Sequence, residues 1–180
     1  MLLSARASAS PWQDMLWGYK RRYIGWSDVV TLAVDWLLAG SENPTEIELA
    51  GLGKSDTQQI GELLRAPAHA ESGEEPSDVP VDDEPDDEEW QTPTLSSRKW
   101  LFVVHSRLYE NRAAYADPLW EVWRIQDDFD YPEELEGFKY FITQADDDPS
   151  QHSPAEIRAR TYAKWEQYLV QTRNEIGIPE

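Results

Sequence analysis

Residues 71–89 read ESGEEPSDVPVDDEPDDEE, and this run separates two apolar, Trp-rich parts of the chain. It contains 11 acidic residues and three prolines, and no Lys or Arg occurs between Arg65 and Arg98. Like charges repel along such a run, and its few apolar residues cannot build a core. The sequence therefore predicts an extended, solvated, Pro-containing acidic linker over residues 67–96.

The parts on either side of this run have helical patterns almost throughout. Apolar residues recur at spacings of three and four, and capping residues mark where helices begin. These signals predict an all-α fold, a compact bundle of about eight short helices in two packed lobes, 1–66 and 97–180, within one structural domain. The predicted helices are Pro11–Tyr23, one from the N-cap Ser27 to about Ala39, one from Pro44 to near Gly51, one opened by a capping box at Ser55, one from Ser96 or Ser97 to about Arg112, one from Pro118, one from Pro132, and one capped by Ser153 and ending near Glu175.

The apolar positions of these patterns are the candidate core. In the second lobe we expect the following side chains to face inward: Leu119, Trp120, Val122, Trp123, Ile125, Leu135, Phe138, Phe141, Ile157, Tyr162, Trp165 and Leu169. His105 falls beside the apolar face of its helix, where a partly buried histidine is more common than a catalytic base.

Charge restricts the classes of partner. The formal net charge is −19, and removing the acidic run leaves −19 + 11 = −8. Such a field repels the phosphates of nucleic acids and of anionic membranes. A basic protein is the electrostatically favoured partner, although a net charge of this size also serves solubility alone.

Several functional classes lack their signatures. The chain has no cysteine, which excludes thiol catalysis and disulfides. It contains no phosphate-binding loop, nucleophile elbow or zinc-binding helix motif. We therefore expect a cytoplasmic protein that binds no nucleic acid, membrane or cofactor, and that is more simply explained without catalysis.

The densest polar cluster outside the acidic run is Asp127–Glu134, with five carboxylates in eight residues. Aspartates here could cap a helix beginning near Pro132, with the glutamates at its positive end. Oxygen ligands also suit Mg²⁺ or Ca²⁺, although the spacing is not that of a calcium-binding loop. A protein-binding surface is the third interpretation, and its candidate residues are Asp128, Asp130, Tyr131, Glu133 and Glu134.

Three stretches resemble an uncharacterised bacterial family, domain of unknown function 2247. They are Trp26–Val30 with the following helix, Lys99–Leu101 with Leu108 and Tyr109, and Asp117–Leu119 leading to the run Ile125–Glu134. The resemblance extends over about residues 26–65 and 98–141. It implies a small helical bacterial protein and supplies no activity or catalytic residue.

Acidic charge, abundant aromatics and the missing catalytic motif favour a non-catalytic acidic binding protein. The most concrete form of this hypothesis is a bacterial immunity protein that binds and neutralises a basic cognate toxin, for example a nuclease. The alternatives are a divalent-cation-dependent enzyme that uses the Asp127–Glu134 cluster and an adaptor that binds through the acidic linker.

Overall fold

The computed structural model describes residues 11–73, 94–129, 131–132, 135 and 153–177. All regular secondary structure in these residues is helical, which confirms the all-α prediction. The described residues contain seven α-helices rather than eight, because the helix predicted from Pro132 lies largely outside them. The chain divides into two compact units, Met1–Asp86 and Asp87–Glu180.

The helix bounds follow the sequence signals closely. The first unit contains α1 (Pro11–Lys20), α2 (Trp26–Leu38), α3 (Pro44–Ala50) and α4 (Thr57–Ser72), with a 3₁₀ turn at Lys54–Asp56. The second unit contains α5 (Leu95–Glu110), α6 (Pro118–Asp128) and α7 (Pro154–Ile176), with a 3₁₀ turn at Arg112–Ala114.

In the first unit α1 packs along α4, and α2 packs against α3. Val29, Leu49, Ile60 and Leu64 have no exposed surface. The indole rings of Trp12 and Trp36 meet edge to face, with centroids 5.1 Å apart. Burying aromatic and branched aliphatic side chains in this way is the main source of stability in a unit of this size.

Two of the predicted helix starts are shifted along the chain. Gly25 rather than Ser27 precedes α2, and the Asp28 carboxylate accepts a hydrogen bond from the Gly25 backbone N–H at 2.8 Å. Helix α4 has Asp56 rather than Ser55 as its N-cap residue. Gly53 precedes the 3₁₀ turn before α4, and its N–H donates to the Asp56 carboxylate at 2.9 Å.

The predicted linker is too long at both ends. Helix α4 continues to Ser72 despite Pro67 in its interior, and it ends at Gly73, whose φ of +74° suits glycine. Helix α5 begins at Leu95, because the Thr94 hydroxyl accepts a hydrogen bond from the Ser97 N–H. Residues 74–93, which hold most of the acidic run, lie outside the described residues.

In the second unit α5 packs against both α6 and α7. The core consists of Leu101, Leu108, Leu119, Val122, Leu135, Trp165 and Tyr168. The predicted burial of Leu135 and Trp165 is confirmed, whereas Ile157 is 37% exposed in the first turn of α7. Phe138 and Phe141 lie outside the described residues.

None of the helices in the described ranges combines the length and the apolar character needed to cross a bilayer.

Candidate protein-binding surface

Helix α6 is fixed at its start by local sequence. The Asp117 carboxylate accepts hydrogen bonds from the N–H groups of Leu119 and Trp120, at 3.2 and 3.3 Å. Pro118 occupies the first helical position, where a missing N–H costs nothing. One face of the helix then buries Leu119, Val122 and Gln126 in the second unit.

The side of α6 next to this buried face carries two tryptophans, Trp120 and Trp123. Trp120 is 44% exposed. Its ring stacks on that of Trp123, with centroids 4.8 Å apart and planes 23° from parallel. Three- and four-residue spacings place Trp120, Trp123 and Asp127 on one side of a helix. Burial of Trp120 was expected from the sequence, and this expectation is wrong because the adjacent Leu119 occupies the inward position.

Tyr131 extends this face beyond the end of the helix. Its hydroxyl donates a hydrogen bond of 2.7 Å to the Asp127 carboxylate, and its backbone N–H donates one of 2.8 Å to the Gln126 carbonyl. The backbone of Tyr131 has a left-handed conformation, with φ of +52°, and the residue is 46% exposed. The hydrogen bond to the Asp127 carboxylate raises the pKa of the Tyr131 phenol, so the ring keeps its hydroxyl proton near neutral pH.

The predicted site residues can be placed in part. Tyr131 and Asp128 are both on the surface, and Asp128 is the last residue of α6. Asp128 belongs to α6, so the prediction that it could cap a helix beginning near Pro132 is wrong. Asp130, Glu133 and Glu134 lie outside the described residues. The sequence did not indicate that Trp120 and Trp123 lie on this surface, because helical spacing alone does not decide which of two adjacent bulky residues faces the core.

We call the surface formed by Trp120, Trp123, Asp127, Asp128 and Tyr131 the α6 face. Charge on and around it is predominantly negative. In the described residues between 117 and 131, four carboxylates stand against one cation, which is 1 − 4 = −3. That cation, Arg124, is paired with Glu121 at 3.0 Å. Exposed aromatic rings among carboxylates suit the binding of a cationic protein surface.

In the described part of the chain, no group of three or more His, Cys, Asp or Glu side chains is arranged to hold a metal ion. The Asp127–Glu134 cluster is only partly within that part, and its Asp127 carboxylate accepts a hydrogen bond from the Tyr131 hydroxyl.

His105 belongs to the core of the second unit and not to a site. It has no exposed surface, and the rings of Trp165 and Tyr168 contact it edge to face at 6.0 and 5.6 Å. Burial lowers the pKa of the imidazole to about 3, so it is neutral at physiological pH.

A family model described as an uncharacterized protein conserved in bacteria (DUF2247) matches residues 4–173. The chain belongs to this family. The match is longer than the sequence resemblance suggested, since it also includes the acidic run and nearly all of α7. Neither a curated protein nor a solved structure matches the chain.

Proposed function

We propose that this member of the DUF2247 family is a non-catalytic acidic binding protein, and most concretely a bacterial immunity protein that neutralises a basic cognate toxin such as a nuclease. The observation that supports this proposal is the α6 face, where the half-exposed Trp120 stacks on Trp123 in a region in which acidic residues outnumber basic ones.

Two physical effects give this surface its binding role. Negative potential over the whole chain accelerates the encounter with a cationic protein. Exposed indole and phenol rings then supply the contact area, because Trp and Tyr side chains carry a large share of binding energy at protein interfaces. Trp120 and Tyr131 are the two described aromatics of the face with the greatest exposure, at 44% and 46%.

The test is co-expression with the product of the neighbouring gene, which we expect to be a toxin. We expect the wild-type chain to restore growth of cells that produce the toxin. Trp120→Ala with Trp123→Ala should weaken the complex by about 2 kcal/mol or more, the range of interface hot spots, and should reduce protection. Asp127→Asn with Asp128→Asn should mainly slow association.

A matched control neutralises two exposed acids on the other unit, Asp35→Asn with Glu48→Gln. This variant should protect as well as the wild type. Helical content and thermal midpoint of every variant are measured by circular dichroism, so that loss of protection is not confused with unfolding. Toxicity that is unchanged by the wild-type protein would reject the immunity function, and equal weakening by the control would reject the α6 face as its site.

A further inference from the structure

A groove runs between α5 and α7 within the second unit and encloses about 260 Å³. Its apolar part is formed by Tyr109, Leu169 and Val170, and the Val170 side chain is 60% exposed. Pockets for small molecules and cofactors are usually larger, at about 300–1,000 Å³. The groove is therefore suited to a single inserted side chain.

The residues that line the groove include two acids and one base. Glu110 of α5 and Glu166 of α7 contribute one carboxylate from each helix. Neither carboxylate forms an ion pair with any residue that the structure describes. The nearby Glu175, by contrast, is paired with Arg98 at 2.9 Å, and hydrogen bonds from Gln171 and Arg98 lower the pKa of its carboxyl.

Ser106 adds a third acceptor to the groove. Its hydroxyl oxygen is buried and has no hydrogen-bond partner among the described residues. A buried hydroxyl without a partner is costly, which favours a ligand that supplies a donor. Asn174 lines the same groove and offers an amide oxygen.

Arg173 is the basic residue in the groove lining, and its guanidinium also contacts an aromatic ring. The Arg173 guanidinium lies over the ring of Phe102, 5.7 Å from its centroid. The Tyr109 ring has contacts on two sides. The Arg112 guanidinium lies 4.1 Å from its centroid, and the Trp165 ring meets it edge to face with centroids 5.1 Å apart. The groove therefore combines a fixed apolar wall with a surplus of acceptors.

We propose that this groove receives an arginine side chain of the basic protein partner, an inference that rests on the proposed function for the partner's nature. The methylene stem packs on Leu169 and Val170, and the guanidinium lies among Glu110, Glu166 and Ser106. A guanidinium fits better than an ammonium because its five N–H donors point in fixed directions that several separate acceptors can satisfy.

The test uses the full chain and a capped arginine, N-acetyl-arginine N-methylamide, as the probe. We expect the methyl resonances of Leu169 and Val170 to shift saturably in NMR spectra. The matching citrulline derivative, a neutral isostere, should produce no saturable shift. Glu110→Gln with Glu166→Gln should weaken probe binding about tenfold, which corresponds to about 1.4 kcal/mol.

Two variants serve as controls. Asp35→Asn with Glu48→Gln removes the same charge far along the chain and should leave probe binding at Leu169 and Val170 unchanged. Val170→Phe fills the groove from an exposed position and should abolish the shift of the Leu169 methyl resonances while preserving the thermal midpoint.

Four results would overturn the inference: equal shifts with citrulline, unaltered affinity in the Glu110 and Glu166 double variant, arginine-induced shifts confined to the acidic run, or much tighter binding of free L-arginine than of the capped residue. The probe assay requires no toxin. Probe binding without protection from the toxin would reject the proposed function, whereas protection without probe binding would reject the groove.

Discussion

At the scale of single residues, His105 makes the second unit sensitive to acid. Burial keeps its imidazole neutral in the folded chain, with a pKa of about 3, while the same group in the unfolded chain has a pKa of 6.5. Since the unfolded chain binds the proton more tightly, this contribution to stability is complete above pH 6.5 and is lost as the pH falls toward 3.

We therefore expect the wild-type free energy of unfolding to fall by about 2 kcal/mol more than that of His105→Leu between pH 7 and pH 5. Both proteins share all carboxylates, so the difference between their urea denaturation curves isolates the imidazole. Parallel pH dependence in the two proteins would show that His105 is protonated equally in the folded and unfolded states.

Ser153 is the N-cap of α7, as the sequence predicted. Its hydroxyl accepts a hydrogen bond of 3.3 Å from the Glu156 N–H, and the Glu156 carboxylate accepts one of 2.7 Å from the Ser153 N–H. Ser153→Ala should lower the free energy of unfolding by about 1 kcal/mol. The control is Ser55→Ala, because the exposed Ser55 hydroxyl donates only to the adjacent Asp56 carboxylate. The free energy of unfolding of Ser55→Ala should differ from that of the wild type by less than about 0.5 kcal/mol in thermal or chemical denaturation. A similar loss of stability in both variants would argue against the capping box.

At the scale of secondary-structure elements, α1 and α4 are joined through Glu71. This carboxylate, in the last turn of α4, accepts hydrogen bonds from the N–H groups of Trp12 and Gln13, both at 3.1 Å. It thus caps the start of α1 from 59 residues away, and its negative charge lies at the positive end of the α1 dipole.

Glu71→Ala should destabilise the first unit by about 1 kcal/mol, the usual cost of losing an N-cap. Hydrogen exchange should show the loss as faster exchange of the α1 amides. Glu62→Ala, an exposed acid on the same helix, is the control and should leave α1 protection unaltered. Unchanged exchange in Glu71→Ala would mean that the helix start is satisfied by other groups.

These two caps show what the sequence can and cannot predict. Ser153 was predictable because its partner is three residues away in the same helix. Glu71 was assigned to the acidic linker, since nothing local reveals a partner at the other end of the unit. Trp120 was assigned to the core for a related reason: short-range periodicity locates an apolar side but does not decide which of two adjacent bulky residues occupies it. The helical fold depends on local signals and was predictable, whereas the α6 face and the α5–α7 groove depend on how helices meet.

At the scale of the whole molecule, the charge of −19 concerns the rate of association more than its strength. We expect removal of residues 74–89 to leave the affinity for a basic partner largely intact and to reduce the association rate and its dependence on salt. The deletion must spare Glu71, which stabilises α1. Stopped-flow association at two ionic strengths measures the effect, and complete loss of binding would instead support an adaptor that binds through the acidic run.

The stacked indoles of Trp120 and Trp123 also give the protein a label of its own. Aromatic chromophores with centroids 4.8 Å apart couple their electronic transitions, and because these two rings are inclined by 23° rather than parallel, the pair should contribute a paired positive and negative band to the ultraviolet circular dichroism spectrum. A macromolecule that binds to these rings or separates them would alter this signal, so binding to the α6 face could be followed without an attached dye.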